Sequence, residues 1–203
     1  MDIKWIGHAC FKVDGPGYSV VFDPYADGYV PGLGPVSEAA DLVICSHQHG
    51  DHNAKDKVDT SSARDLSEVL KITEIHTYHD DTKGSQRGEN TITIINDGTE
   101  SLAHFGDLGC DLTEEEAALL SNLDYALIPV GGFYTIDWEM AVKILCKINP
   151  KVVIPMHFRN DPLGFGFDVI DTVEPFVSAM EMAAAQGLVQ SEVRVLTPTN
   201  LAK

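Results

Sequence analysis

The sequence predicts an α/β sandwich of two mixed β-sheets with helices on the outside. Short apolar or alternating runs separated by glycine and proline turns fill the first half, the pattern of strands joined in hairpins. In the second half, strand-like runs alternate with helical patterns, which adds parallel strands to the sheet they join. Ligand-type side chains then recur directly after several of these runs, and in α/β architectures strand ends converge on one edge of a sheet.

Residues 3–6, 11–13 and 19–22 are the first strands, with Gly7 between the first two and Asp14-Gly15-Pro16-Gly17 turning the second into the third. Residues 24–35 hold three prolines and three glycines without apolar periodicity and read as a long surface loop, a length uncommon unless it serves a site. Residues 41–45 read as a buried strand. Residues 53–70 are polar and weakly patterned, with 62–70 either a short helix or the approach to a strand. Residues 71–78 alternate as a strand that ends at His79. A polar loop, 80–90, leads to paired strands at 91–96 and 101–105 around an Asp97-Gly98 turn.

Thr113 followed by Glu114-Glu115-Glu116 has the form of a capping box opening a helix to about residue 122. Residues 125–130 form a strand, 136–148 a helix, 152–156 a strand, 172–186 a helix stopped by Gly187, and 192–196 a last strand. In the helix at 136–148, Ile136, Met140, Ile144 and Ile148 recur every four residues and mark its core stripe. There is no repeat of short period and no linker, so a single domain over 1–203 is expected.

The chain has 203 residues, enough for one sizeable core, and its 31 acidic against 14 basic residues give a formal charge of −17. Such a surface repels nucleic acid and anionic membranes at long range, although metal ions and a few cations reverse the sign inside a cleft. A small-molecule substrate is the expected partner, an anionic one if local cations face the site, and a homo-oligomer is left open. Cys10, Cys45, Cys110 and Cys146 are far apart, form no C-x-x-C pair and read as reduced thiols. With no charged-then-apolar leader and no apolar run of membrane-spanning length, a cytoplasmic location is expected.

The densest chemistry is Ser46-His47-Gln48-His49-Gly50-Asp51-His52, four metal-ligand types within six positions. His47 and His49 share a face if the strand runs on through them, whereas Asp51 and His52 are adjacent and must diverge, so the spacing favours two neighbouring metals over one. Three more candidates end other strands: His79, Asp107 after Gly106, and His157 after residues 152–156. Zn²⁺ takes imidazole and carboxylate ligands, and a catalytic site needs about three from the protein. His47, His49 and His79 make one such set, Asp51, His52 and His157 the other, and Asp107 is the shared carboxylate. His76 competes with His79, but strand positions an odd number apart face opposite ways. Asp23 is a candidate to orient a ligand imidazole. His8 reads as a substrate-facing or supporting group or a polar turn residue, and His104 as packed within the sheet. Lys83, Arg87 and Arg159 follow His79 and His157 on loops and are candidates for holding an anionic group, against a reading as solvated charges. Phe165 and Phe167 either wall the cleft or anchor a loop.

In order along the chain, His47-Gln48-His49-Gly50-Asp51-His52, His79, Asp107 within His104-Phe105-Gly106-Asp107, and His157 within Ile154-Pro155-Met156-His157 resemble the metal motifs of the metallo-β-lactamase superfamily. Trp5-Ile6-Gly7-His8-Ala9-Cys10-Phe11, Phe22-Asp23-Pro24 and Pro129-Val130-Gly131-Gly132 resemble its ascorbate-6-phosphate lactonase-like branch. The resemblance implies an αββα four-layer sandwich with a dinuclear centre at one edge, usually of zinc, with manganese, nickel or iron as the other metals. Two divalent ions sharing a carboxylate and a water make that water reactive near neutral pH, so a hydrolase of small esters, lactones or phosphoesters is expected, its leaving group stabilised by a metal or by a proton from Asp51 or His8. A diiron oxidoreductase is the competing class, although it favours a carboxylate where His49 stands and works beside a flavin domain. A non-catalytic metal-binding or sensing module is the third. Between His52 and His79 the chain is short for the superfamily, so strands there are expected to be trimmed.

Overall fold

The computed structural model describes residues 1–202. Its strands are β1 (Asp2–Gly7), β2 (Cys10–Gly15), β3 (Tyr18–Phe22), β4 (Glu38–Ala39), β5 (Leu42–Ile44), β6 (Val58–Asp59), β7 (Lys71–Tyr78), β8 (Glu89–Asn96), β9 (Ser101–His104), β10 (Tyr125–Pro129), β11 (Val152–Met156) and β12 (Glu192–Val193). Its α-helices are α1 (Glu114–Leu119), α2 (Trp138–Ile148) and α3 (Glu174–Ala185). One sheet runs β1-β2-β3-β5, and the other β12-β11-β10-β9-β8-β7. Both are mixed: β1, β2 and β3 pair antiparallel and β3 pairs parallel with β5, while β12, β11, β10 and β9 are parallel and β8 turns against β9 and β7.

This topology decides where chemistry can sit. Within the first sheet β1, β3 and β5 run the same way, and within the second so do β7, β9, β10 and β11. The residues that follow their C-terminal ends are His8, Asp23, Ser46, His79, Asp107, Gly131 and His157 or their immediate neighbours. The expected site residues therefore share strand polarity before any side chain is considered.

The sheets face each other across a core that includes Trp5, Phe11, Phe22, Phe105 and Leu127. His104 on β9 belongs to that core. Its ring stacks on Phe22 at 4.9 Å, and Nε2–H donates to the carbonyl of Ala9 at 2.8 Å, which ties the second sheet to the first. Nδ1 accepts from the Gly106 amide at 3.1 Å, so both ring nitrogens are used. On the outer side of the second sheet α2 packs on β10 and lies between α1 and α3.

Several boundaries differ from the sequence expectation. The strand at 41–45 shortens to Leu42–Ile44 and is half-buried, because β5 is the outer strand of its sheet. Residues 62–70 form turns, with Asp65 accepting from the Ser67 amide at 3.0 Å, and no helix. Glu38–Ala39 and Val58–Asp59 make a parallel pair too short to register as a pattern. Thr113 and Glu116 do form a capping box, but α1 ends at Leu119. Helix α2 starts at Trp138 because the Asp137 carboxylate caps it, accepting from the Met140 amide at 2.8 Å, so Ile136 is buried ahead of the helix. The last strand stops at Val193, after which the chain crosses to the first sheet. There the amides of Thr199 and Asn200 donate to the carbonyls of Trp5 and Ile6 at 2.9 and 3.2 Å. No helix among the described residues is long and apolar enough to cross a membrane.

Leu127, fully buried at the centre of the six-stranded sheet, has no room to be replaced. Leu127→Ala should lower the unfolding free energy by about 2–5 kcal/mol, whereas Leu119→Ala, at a site 58% exposed, should stay within about 0.5 kcal/mol. Urea titration of both variants measures the contrast.

Candidate metal centre

The backbone at the strand ends is unusually bent for residues with side chains. His8, Asp23 and His157 adopt positive φ of 56°, 43° and 54°, a region costly for non-glycine residues and concentrated at functional sites. Two glycines make the convergence sterically feasible. A Cβ on Gly106 would stand 2.3 Å from Asn90 Oδ1 and 2.4 Å from Ser46 Cβ, and one on Gly131 would stand 2.1 Å from the His157 carbonyl oxygen.

Ligand-type atoms gather into two groups, each within 4.8 Å: His47, His49 and His79, and His8, Asp51, His52 and His157. Between them lies Asp107, whose Oδ2 is 3.1 Å from His52 Nε2, 3.3 Å from both His79 Nε2 and His157 Nε2, and 4.0 Å from His47 Nε2. Its backbone amide is held by Asn90 Oδ1 at 2.9 Å, and the Asn90 amide group donates to the Phe105 carbonyl at 3.0 Å and to Thr77 Oγ1 at 2.9 Å.

Asp23 also lies within ligand distance of His47 and His52, but its oxygens are already engaged. Oδ1 accepts from the Ser46 amide at 2.7 Å, and Oδ2 accepts from Ser46 Oγ at 2.6 Å and from His52 Nδ1–H at 2.7 Å. With its proton given to Asp23, Ser46 Oγ accepts from His47 Nδ1–H at 2.9 Å. This network sets the tautomer of both imidazoles and turns their Nε2 atoms toward Asp107. Asp23 is thus an orienting group.

The test of a metal is what remains unpaired. His47 Nε2, His52 Nε2, His79 Nδ1, His157 Nδ1, Asp107 Oδ1 and both ring nitrogens of His8 are buried without a hydrogen-bond partner. Nearly all buried polar atoms in proteins are paired, so this many unpaired atoms on residues gathered around Asp107 call for a ligand. Imidazoles and carboxylates in sets of three are the donor chemistry of divalent transition ions. The residues fit.

Charge placement agrees. Burial, then the neighbouring His157, lowers His8 from 6.5 to about 4. Burial, then His52, lowers His47 from 6.5 to about 3, and burial lowers His79. These three imidazoles stay neutral, the form in which a histidine binds a metal; His52, set between two carboxylates, is the exception, and its Nε2 proton would be displaced by an ion. Burial alone would depress His52 as well, but Asp107 and Asp23 outweigh it and raise its pKa well above the usual histidine value. Burial works against the charge of Asp107, yet His157 and His52 hold its pKa well below the usual carboxylate range.

A cleft of about 450 Å³ opens beside this cluster. His49, Asp51, His79 and Asp107 form its polar floor, and Tyr29, Gln86, Arg87, Tyr134 and Phe167 its other walls. All seven expected ligands, with His8 and Asp23, come to one rim. Of the three expected cations only Arg87 lines this cleft: Lys83 is exposed on its turn, and Arg159 pairs with Asp161 and donates to the Ile170 carbonyl at 3.1 Å. His76 is exposed on the opposite face of β7 from the inward Ile75 and Thr77. Phe167 walls the cleft, whereas Phe165 is a buried anchor against Trp5. Ser46, Asn90, Tyr29, Gln86 and Tyr134 went unread in the sequence. Ser46 had a signal, its place between a strand end and His47, and Tyr29 lies in the long loop; Asn90 had none.

A sequence profile of the beta-lactamase superfamily domain matches residues 2–157. The chain belongs to the metallo-β-lactamase superfamily. A UPF0173 metal-dependent hydrolase of Hyperthermus butylicus is 28% identical over 200 residues, covering 79% of this chain and 85% of that protein. Among solved structures, a candidate zinc-dependent hydrolase of the superfamily from Thermotoga maritima superposes with a TM-score of 0.67 at 30% identity, covering 87% of this chain and 84% of its own. The metallo hydrolase Igni18 of Ignicoccus hospitalis, at 21% identity and a TM-score of 0.68 over 98% and 96% of the two chains, shares the metallo-β-lactamase fold. In this superfamily member the profile match ends on His157, the last of the expected ligands, and α3 and β12 lie beyond it.

Asp23→Asn keeps the shape but forces an amide into a place that accepts three hydrogen bonds. Metal affinity should fall about 10- to 100-fold, read by competition with a chelating indicator dye. Acid should also unfold the metal-free protein. His8 and His47 have folded pKa values of about 4 and about 3 against an ordinary 6.5. The unfolded chain therefore binds more protons in that window, and stability falls as pH drops through it. His52, with its raised pKa, has the opposite sign: its contribution is complete below 6.5 and fades as pH rises. The urea midpoint of metal-free protein should fall between pH 7 and pH 4.5, and His8→Phe should flatten that fall.

Proposed function

We propose that this metal-dependent hydrolase holds two divalent ions, zinc foremost, and directs water against a small ester, lactone or phosphoester. The observation that carries the reading is the position of Asp107 Oδ2, within 3.3 Å of imidazole nitrogens from the residues that follow β7 and β11 and from the His47–His52 segment. In this reading His47, His49 and His79 hold one ion, Asp51, His52 and His157 the other, and Asp107 is shared. Such a pair supplies Lewis acidity toward a carbonyl or phosphoryl oxygen and a water acidic enough to react near neutral pH. Asp23 and Ser46 keep the His47 and His52 rings in the ligand tautomer. Asp51 faces the cleft with His8 Nε2 behind it at 3.4 Å; with His8 neutral and Asp51 ionised, the pair would pass the attacking water's proton to the leaving group rather than supply one of its own. Tyr134 and Phe167 set an aromatic wall beside the polar floor of the cleft. A small-molecule substrate, a single catalytic domain and a cytoplasmic location accompany the reading. A diiron oxidoreductase would want a carboxylate where His49 stands.

Elemental analysis of purified protein should find two equivalents of metal per chain, and a panel of neutral esters, lactones, thioesters and phosphodiesters should include a substrate whose cleavage stops on chelation. Asp107→Asn should bring metal content to one equivalent or less and lower kcat/KM by more than about 100-fold. A panel without any cleavage, or cleavage indifferent to chelation, would overturn the proposal.

A further inference from the structure

The chain has four arginines, and three of them are paired within the protein: Arg64 with Asp41, Arg159 with Asp161 and Arg194 with Glu192. Among the described residues Arg87 alone of the four has no carboxylate at ion-pair distance, in a chain with 31 acidic residues. That unpaired guanidinium lines the cleft over the metal centre.

Its position is prepared. Arg87 sits on the loop that follows His79, wound around the buried Asp80. That carboxylate accepts five hydrogen bonds, from the amides of Thr82, Gly84, Gln86 and Arg87 and from Thr82 Oγ1, at 2.7–2.9 Å. The loop closes on itself where the His79 amide donates to the Gly88 carbonyl at 3.0 Å. The side chain makes no hydrogen bond of its own, and its guanidinium lies 6.0 Å over the Tyr134 ring. At that distance the cation is within reach of the ring's electrostatic attraction, and with no hydrogen bond of its own its N–H groups remain available.

Resting on the hydrolase reading, we infer that Arg87 determines specificity by binding a carboxylate carried by the substrate, with an apolar or aryl body against Tyr134 and Phe167. The charge balance favours a monoanion. Arg87 is the one cationic side chain among the residues lining this cleft, and its planar fork matches the two oxygens of a carboxylate. A phosphate dianion would set its second charge against the metal ions beside Asp51 and Asp107, whereas the single charge of a carboxylate is matched by Arg87 alone.

The test uses metal-loaded protein and calorimetric titration with 3-phenylpropanoate, 3-phenylpropanamide and phenyl phosphate. It also uses steady-state cleavage of a neutral ester, 4-nitrophenyl butyrate, against the carboxylate-bearing mono-4-nitrophenyl glutarate. Arg87→Ala should weaken 3-phenylpropanoate by about 10- to 100-fold and raise KM for the glutarate ester at similar kcat. The neutral ester should change by no more than about twofold. Arg87→Lys should recover part of the loss, and Lys83→Ala, the same charge change outside the cleft, should reproduce wild type. An Arg87→Ala protein that binds 3-phenylpropanoate as wild type does would overturn the inference, because the metal ions alone would then hold the anion. Tighter, Arg87-dependent binding of phenyl phosphate would overturn the choice of carboxylate. If neither ester is cleaved and the wider panel is silent too, the hydrolase reading fails by itself and the titrations still decide the role of Arg87.

Discussion

The buried carboxylate of Asp23 is the constraint on which the site depends. It is sealed from solvent at the end of β3, where an unpaired charge would be costly, and it is satisfied only by groups from the segment after β5. The pairing of Phe22 with Ile44 brings that segment alongside, and the Asp23 amide donates to the Ile44 carbonyl at 2.9 Å. The pairing of β3 with β5 and the orientation of His47 and His52 are therefore tied together through one carboxylate. With Ser46 and His52 donating hydrogen bonds to Asp23, the two rings have a single way to face.

The second sheet supplies the other half by the same logic of strand polarity. Asp107 is aimed by Asn90 from β8, His157 emerges from β11 through a left-handed turn beside Gly131, and His79 ends β7 against the loop wound on Asp80. None of these groups reaches the cluster by a long flexible arm. The strain at His8, Asp23 and His157 is carried by hydrogen-bonded strands on either side, which is how a rigid scaffold sustains unfavourable backbone geometry at a site.

Much of this was legible because strands advertise themselves by apolar runs and the ligands sit where those runs stop. His79, Asp107 and His157 were readable as strand-end residues, and the split between His47–His49 and Asp51–His52 followed from the opposed directions of neighbouring side chains. What stayed hidden depends on partners far away in the chain. Ser46 gains its meaning from Asp23, and Asn90 from an amide 17 positions later. Lys83, Arg87 and Arg159 are equivalent on paper, and only the fold reveals that Asp161 engages Arg159 while Arg87 is left over. The turns at 62–70 and the early end of the last strand reflect tertiary contacts that override weak local patterns.

The crossing of residues 199–202 to the first sheet has a consequence for association. β1 is the outer strand of its sheet, and an open strand margin invites pairing with another molecule. Here Thr199 and Asn200 bond along Trp5 and Ile6, and Ala202 donates to the Gly32 carbonyl at 2.9 Å, so the polypeptide hems the end of that border nearest His8. A second molecule seeking to extend that sheet would first have to peel this selvage away, and in doing so would disturb the turn that carries His8.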